Sequence, residues 1–380
     1  MRIRYNNESL YKIFIFIVIL IYMFESTSLP NFSDSLLHKI LLALALTIAV
    51  LYIVKRKYTL RELERLIILN SIGFICYLSS GLSGLFVTML AITLMPNGAV
   101  DRVLKMILIE EGILFGIIAF LAIIGVLNNH AVDINKGTYV VNAFSLGFNH
   151  PNMLAAQSTS IVLLYICINR YKLKIKHYVI SAMSIIAIYI LSQGRTALYL
   201  GLGALIMIFI SKNKKIQKRI LNLLPWTYCI ILVFLVFDMV LYLKEGYNIP
   251  IVRFINDGLF NGRIGLAARS LLVYPITLWG KAIDFSIWDQ YQYFSLDNGQ
   301  VMILLSYGIL GFIAYFIIIQ LVLQKIKNEK EVILGIIMVL FLIWSMYEGT
   351  MYFIGKNFAF LFLGASNNVW KSSFRKETIK

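Results

Sequence analysis

The chain has 380 residues, of which 59% are hydrophobic and 14% are charged. Soluble domains carry about 25% charged residues, so this composition excludes a water-soluble fold around a single apolar core. The formal net charge of +16 does not mark a nucleic-acid binder, because the basic residues fall in short clusters between apolar runs, the pattern of membrane topology.

The apolar runs predict an all-α, polytopic integral membrane protein of about twelve transmembrane helices, with 1–380 forming a single polytopic membrane domain. In chain order the runs lie near 10–24, 36–54, 66–80, 83–96, 107–127 and 152–168. They continue near 178–192, 195–211, 222–243, 299–323, 332–347 and 356–370. Helices satisfy their own backbone in lipid, and these runs are too long and too unalternating for barrel strands. The first, YKIFIFIVILIYMF (11–24), is expected to be a retained helix, because no small-residue cleavage site follows it. Cys76, Cys167 and Cys229 all lie inside apolar runs without metal-ligand spacing, so no disulfide framework and no zinc site is expected.

With the N-terminus cytoplasmic, 26 of the 35 Lys and Arg residues fall in cytoplasmic segments such as KRKYTLRELER (55–65) and KNKKIQKR (212–219). That bias sets the orientation and puts both termini in the cytoplasm. Two extracytoplasmic segments are long, 128–150 and 244–298. The second is too long for a plain connector, and such loops are usually functional. Internal repeats of the kind that build many transporters are not visible.

Few cations fall on the outer face, so each needs a reason. Arg195, in LSQGRTALYLGLG, starts a helix, where a cation opposes the dipole. A bound anion would relieve that conflict; snorkelling to lipid phosphates is the structural alternative. Ala197 and Gly201 are read as close helix packing. In the long loop, Asn261-Gly262 is a turn signal, followed by Arg263 and, in an amphipathic stretch, Arg269. Asp297, in LDNGQ, is placed to cap the tenth run. Glu348, in SMYEGTMY, borders the membrane, with Lys356 close enough to pair with it. Glu110 and Glu111 are expected to pair with Arg102 or Lys105; Asp238 has no assigned role.

His150 stands in GFNHPN (147–152), flanked by Asn149 and Asn152 and followed by Pro151, which suits a first helical turn. Histidine titrates near neutral pH. A face carrying several arginines and one titratable base suits an anionic, membrane-held substrate whose reaction partner must lose a proton.

The order GFNHPN (147–152), SQGRTA (192–197), NGRIGLA (261–267), YPITLWG (274–280), LDNGQ with LLSYGILG (296–311) and YE (347–348) resembles the Wzy-type polysaccharide polymerases. These are polytopic glycosyltransferases of the O-antigen polymerase and ligase group. The residue before Arg195 departs from the pattern, since Gln193-Gly194 stands where a serine adjoining the arginine is expected. The resemblance covers about 145–357. It implies a metal-independent, inverting enzyme of the cell membrane with no cofactor. Such an enzyme would join undecaprenyl-diphosphate-linked oligosaccharide repeat units into capsule, exopolysaccharide or O-antigen. A flippase and a chain-length regulator would be its partners, membrane lipid its surroundings, and nucleic acid would play no part. In that reading His150, then Glu348, is the base; Arg195, Arg263 and Arg269 hold the diphosphate; Asn149, Asn152 and Asp297 support them. Trp279, Trp288, Tyr291 and Tyr293 would stack on sugars or anchor at the interface. The alternatives are a ligase that moves a finished glycan to another acceptor and, from another class, a lipid-linked oligosaccharide flippase or transporter.

Overall fold

The computed structural model describes residues 2–30, 32–129, 131–135, 140–246, 248–283 and 296–364. Its elements, in chain order, begin with α1 (Arg2–Glu25), α2 (Leu36–Lys55), α3 (Leu60–Ser80), α4 (Gly84–Leu94) and α5 (Val100–Ile123). A short hairpin follows, β1 (Ala131–Asn135) and β2 (Val140–Phe144), then α6 (Pro151–Ile168), α7 (Ile175–Ser192), α8 (Arg195–Ile210) and α9 (Lys214–Glu245). The last are α10 (Pro250–Arg253), a π-helical turn (Phe254–Leu259), α11 (Arg263–Val273), α12 (Gly299–Glu329), α13 (Val332–Trp344) and a 3-10 helix (Phe358–Gly364). The chain is mostly helical. Seven of the described helices, α2, α3, α5, α6, α7, α9 and α12, are long and apolar enough to cross a membrane; α4, α8 and α13 are apolar but shorter.

Side chains fix many of the helix ends. Ser35 caps α2 by accepting from the His38 N–H at 3.1 Å. Thr59 and Glu62 form a capping box at α3, and left-handed Gly81 ends it. Asn213 caps α9 through the Lys215 N–H at 2.9 Å. These polar caps sit where the apolar runs stop, which is why the runs and the helices coincide.

The described residues divide into two compact units. One is built on 1–58 and 94–212, the other on 59–93 and 213–363. In the first, α1 packs on α2 and α5, and α6 packs on α5, α7 and α8. Ala155, Ala156, Ser158, Thr159 and Ser160 make α6 narrow and let its neighbours close in; 67% of its span is buried. A Cβ on Gly201 would press on Thr159 and Ile185 at 3.0 Å, so Gly201 marks tight packing of α8. The segment 128–150 holds an antiparallel hairpin, paired from Ala131 with Phe144 to Asn135 with Val140. The sequence predicts no strand there, and five-residue strands are short for a periodicity to show.

In the second unit α12 packs on α3 and α9, while α11 and α13 pack on α9. α12 is broken at Gly308, whose φ of 73° is left-handed. The break is filled by the YPITLWG segment: Ile309 N donates to Thr277 O at 3.0 Å and Leu310 N to Leu278 O at 3.1 Å. The backbones meet so closely that a Cβ on Gly308 or Gly280 would collide with the opposite main chain. The run predicted at 356–370 is, in its described part, the buried 3-10 helix. Its phenylalanines fill the core of this unit, and Tyr315–Phe360 and Phe341–Phe358 are edge-on ring pairs.

Candidate functional site

In the first unit, GFNHPN is fastened to the end of α1. Ser28 N donates to Gly147 O at 2.8 Å, Asn149 N to Ser26 O at 3.0 Å, and Asn149 Nδ2 to Glu25 O at 3.0 Å. Asn149 therefore holds backbone. His150 is exposed and is the N-cap of α6, its Nδ1 accepting from the Asn152 N–H at 3.1 Å. Sequence reasoning accounts for Pro151 as the first helical residue, and the structure adds that the histidine is the cap itself. A neutral ring that accepts at Nδ1 carries its proton on Nε2, so it must give up the cap to take a second proton. Asn152 is exposed and contributes that N–H.

Arg195 is exposed at the first position of α8 and makes no ion pair among the described residues. Gly194 lies against Ala155, where a Cβ would collide, and Gly201 lies against Thr159. α6 and α8 thus run parallel, and their N-termini open at the same end of this unit. Ala155 is five residues into α6, so the Arg195 backbone lies about 8 Å along the axis from the His150 cap.

The second unit gathers the remaining motifs. Asn261 and Gly262 are both left-handed, with φ of 50° and 81°, the conformation the Asn-Gly signal predicts, and they turn the chain into α11. Arg263 is its first residue. Its Nε donates to Asp297 Oδ2 at 3.1 Å, with 14% of the arginine side chain and 35% of the aspartate side chain exposed. Bonding through Nε leaves the two outer nitrogens on the other edge of the guanidinium. The helix cap expected of Asp297 falls instead to Asn298, whose Oδ1 accepts from Gln300 N and Val301 N at 3.1 Å each. That shift of one residue releases Asp297 to face Arg263.

The 345–349 segment is tied to the same helix start. Gly299 N donates to Ser345 O at 2.6 Å, Asn298 Nδ2 to Met346 O at 3.4 Å, and Gln300 Nε2 bonds Ser345 Oγ. Tyr347 stacks on Phe260 with ring centres 4.7 Å apart. Glu348 pairs with Lys356 at 3.2 Å and accepts from Thr350 Oγ1 at 3.0 Å; Lys356 also donates to Thr350 Oγ1 at 2.5 Å. Burial alone would raise the Glu348 carboxyl, but Lys356, Thr350 and the charge of Arg263 outweigh it and hold it below the usual carboxylate range. Lys356 is wholly buried, the feature that a sequence reading of a loop lysine does not convey.

Arg269 is not brought to Arg263. It lies six residues on, roughly 9 Å along α11 and on another face, with its guanidinium 5.7 Å from the centre of the Tyr242 ring. Arg102 binds Glu8 at 2.6 and 2.8 Å, so the expected pairing with Glu110 or Glu111 is not formed; both acids are buried with carboxylate oxygens that have no partner among the described residues. Trp279 is 37% exposed, while Trp288, Tyr291 and Tyr293 lie outside the described residues. No group of three metal-ligating side chains occurs among the described residues.

No family model, curated protein or solved structure matches the chain.

Proposed function

We propose that the chain is a cell-membrane glycosyltransferase that polymerises oligosaccharide repeat units carried on undecaprenyl diphosphate. In this reading it crosses the membrane about twelve times, both termini are cytoplasmic and 244–298 is an extracytoplasmic loop. The observation that carries the reading is the gathering of Arg263, Asp297, Glu348 and Lys356 in one unit. They come from segments up to about ninety residues apart in sequence, and Arg263, Asp297 and Glu348 stand in the motifs that resemble the Wzy-type polymerases. Asp297 steadies the guanidinium through Nε, and the free edge suits two oxygens of a diphosphate. Arg195, exposed and without an acidic partner among the described residues, serves the same class of anion.

The chemistry is a displacement at the donor's anomeric carbon. An acceptor hydroxyl forms the new C–O bond, the bond to the diphosphate breaks, and the lipid diphosphate leaves with the electron pair. The hydroxyl proton goes to a base, for which His150 of the first unit and Glu348 of the second, the unit of Arg263, are the candidates. Glu348, held ionised by Lys356 and Thr350, is the weaker proton acceptor and is better suited to receiving a hydroxyl hydrogen bond. Cations aimed at the developing charge of the diphosphate supply the main stabilisation.

The test is glycan length in a deletion strain complemented with the wild-type chain and point variants. Single repeat units on the surface of the deletion strain, restored to long chains by the wild type, support the polymerase. Long chains stranded on the carrier lipid would make it a ligase, and repeat units retained on the cytoplasmic face would make it a flippase.

A further inference from the structure

Asp238 lies about two turns before the end of α9 and is 4% exposed. Its Oδ2 is buried and has no hydrogen-bond partner among the described residues, and no cation among them pairs with it. A small cavity opens beside it, walled by Tyr242 of α9 and by Val252, Ile255, Asn256 and Ile264 of the chain that follows. The polar wall residue is already engaged. Asn256 Oδ1 accepts from Gly265 N at 2.7 Å and its Nδ2 donates to Asp257 Oδ1 at 2.8 Å. Arg269 on α11 lies over the Tyr242 ring.

A buried carboxylate oxygen without a donor destabilises a fold, and an apolar residue of similar size would sit among Leu241, Val252, Ile255 and Ile264 at lower cost. A group kept at that cost beside a cavity is a group that meets a donor from outside the chain. The space admits about one water-sized group. A divalent ion would require about six oxygens, and the lining supplies one carboxylate among apolar walls. A single hydroxyl group fits that space.

We propose that Asp238 is a ligand-binding residue whose carboxylate accepts a hydrogen bond from a hydroxyl of the carbohydrate at the cavity between α9 and α11. The proposal rests on the glycosyl-transfer reading and names a sugar contact within it. The test uses the purified full chain in detergent, as wild type, Asp238→Asn and Asp238→Leu, and as probe the lipid-linked repeat unit extracted from cells lacking this protein. Without probe, both variants unfold at a higher temperature than the wild type. With probe, the wild type is stabilised, and Asp238→Leu binds about tenfold to a hundredfold more weakly, the loss of one hydrogen bond to a charged acceptor. Variants less stable than the wild type would mean that the carboxylate is satisfied within the chain, which overturns the proposal whatever the probe does. More stable variants that bind the probe as tightly as the wild type overturn the proposal and leave glycosyl transfer standing. A wild type that does not bind the probe overturns glycosyl transfer and this contact with it.

Discussion

Replacing Lys356 with methionine removes an ammonium whose side chain has no exposed surface and leaves Glu348, 17% exposed, without its nearest counter-charge. Breaking one partner of a buried pair costs about 3–5 kcal/mol, because the remaining charge is stranded. The neutral double variant Glu348→Gln/Lys356→Met strands nothing and should recover most of that loss. pH separates the two cases further. In the wild type the folded Glu348 carboxyl lies below its unfolded value of about 4.3, so the pair's contribution is full above that value and is lost as pH falls through the lower, folded one. In Lys356→Met, burial, the largest influence on this carboxyl, is opposed only by Thr350 and Arg263. Its affinity for a proton rises, and the variant's deficit shrinks as the solution is acidified from neutrality. The assay is the unfolding midpoint in detergent as a function of pH for the wild type, the single variant and the double variant. A single variant as stable as the double variant at neutral pH, with a deficit that does not change on acidification, would refute the reasoning.

Arg263→Lys keeps the charge and loses the planar fork, so it should shorten the polymer at a normal membrane level, with turnover down roughly tenfold or more; unchanged chain length would reduce Arg263 to a partner of Asp297. His150→Asn replaces one good cap with another and should keep stability within a few tenths of a kcal/mol, while His150→Ala costs about 1 kcal/mol. Polymer in the Asn variant would leave His150 a cap alone; its absence at normal stability identifies the ring as the base. Gly308→Ala should sharply lower the folded yield, since its side chain collides with Leu278 and Gly280; wild-type yield would show that the seam opens freely. Reporters fused within 244–298 and within 212–219 should read opposite sides of the membrane, and the same side for both would dismantle the proposed topology.

The helices were legible because hydropathy and capping act locally. The starts predicted at 36, 195, 299 and 332 match the structure, since each apolar run begins beside a cap or turn. The Asn261-Gly262 turn was legible for the same reason. Lys356 was visible as a possible partner of Glu348, but its complete burial was not, because burial depends on segments far away in sequence. Asp297 shows the limit most clearly. Asp and Asn both cap helices, so DNG leaves the register open by one residue, and only the packing of α11 shows which of the two is free to meet Arg263. The 3-10 helix at 358–364 was unreadable as such, since a lipid-facing helix and a buried core segment are equally apolar.

The seam at Gly308 bears on how the second unit is assembled. For a helix that crosses a bilayer, a break exposes backbone groups that lipid cannot satisfy. Here Ile309 and Leu310 find their acceptors in Thr277 and Leu278, which are made about thirty residues earlier. At Gly308 the two halves of α12 therefore depend on the 274–280 segment, and not on the helix itself, for these two hydrogen bonds. A residue added or removed between 274 and 280 would put that register out and leave the Ile309 and Leu310 N–H groups without their acceptors.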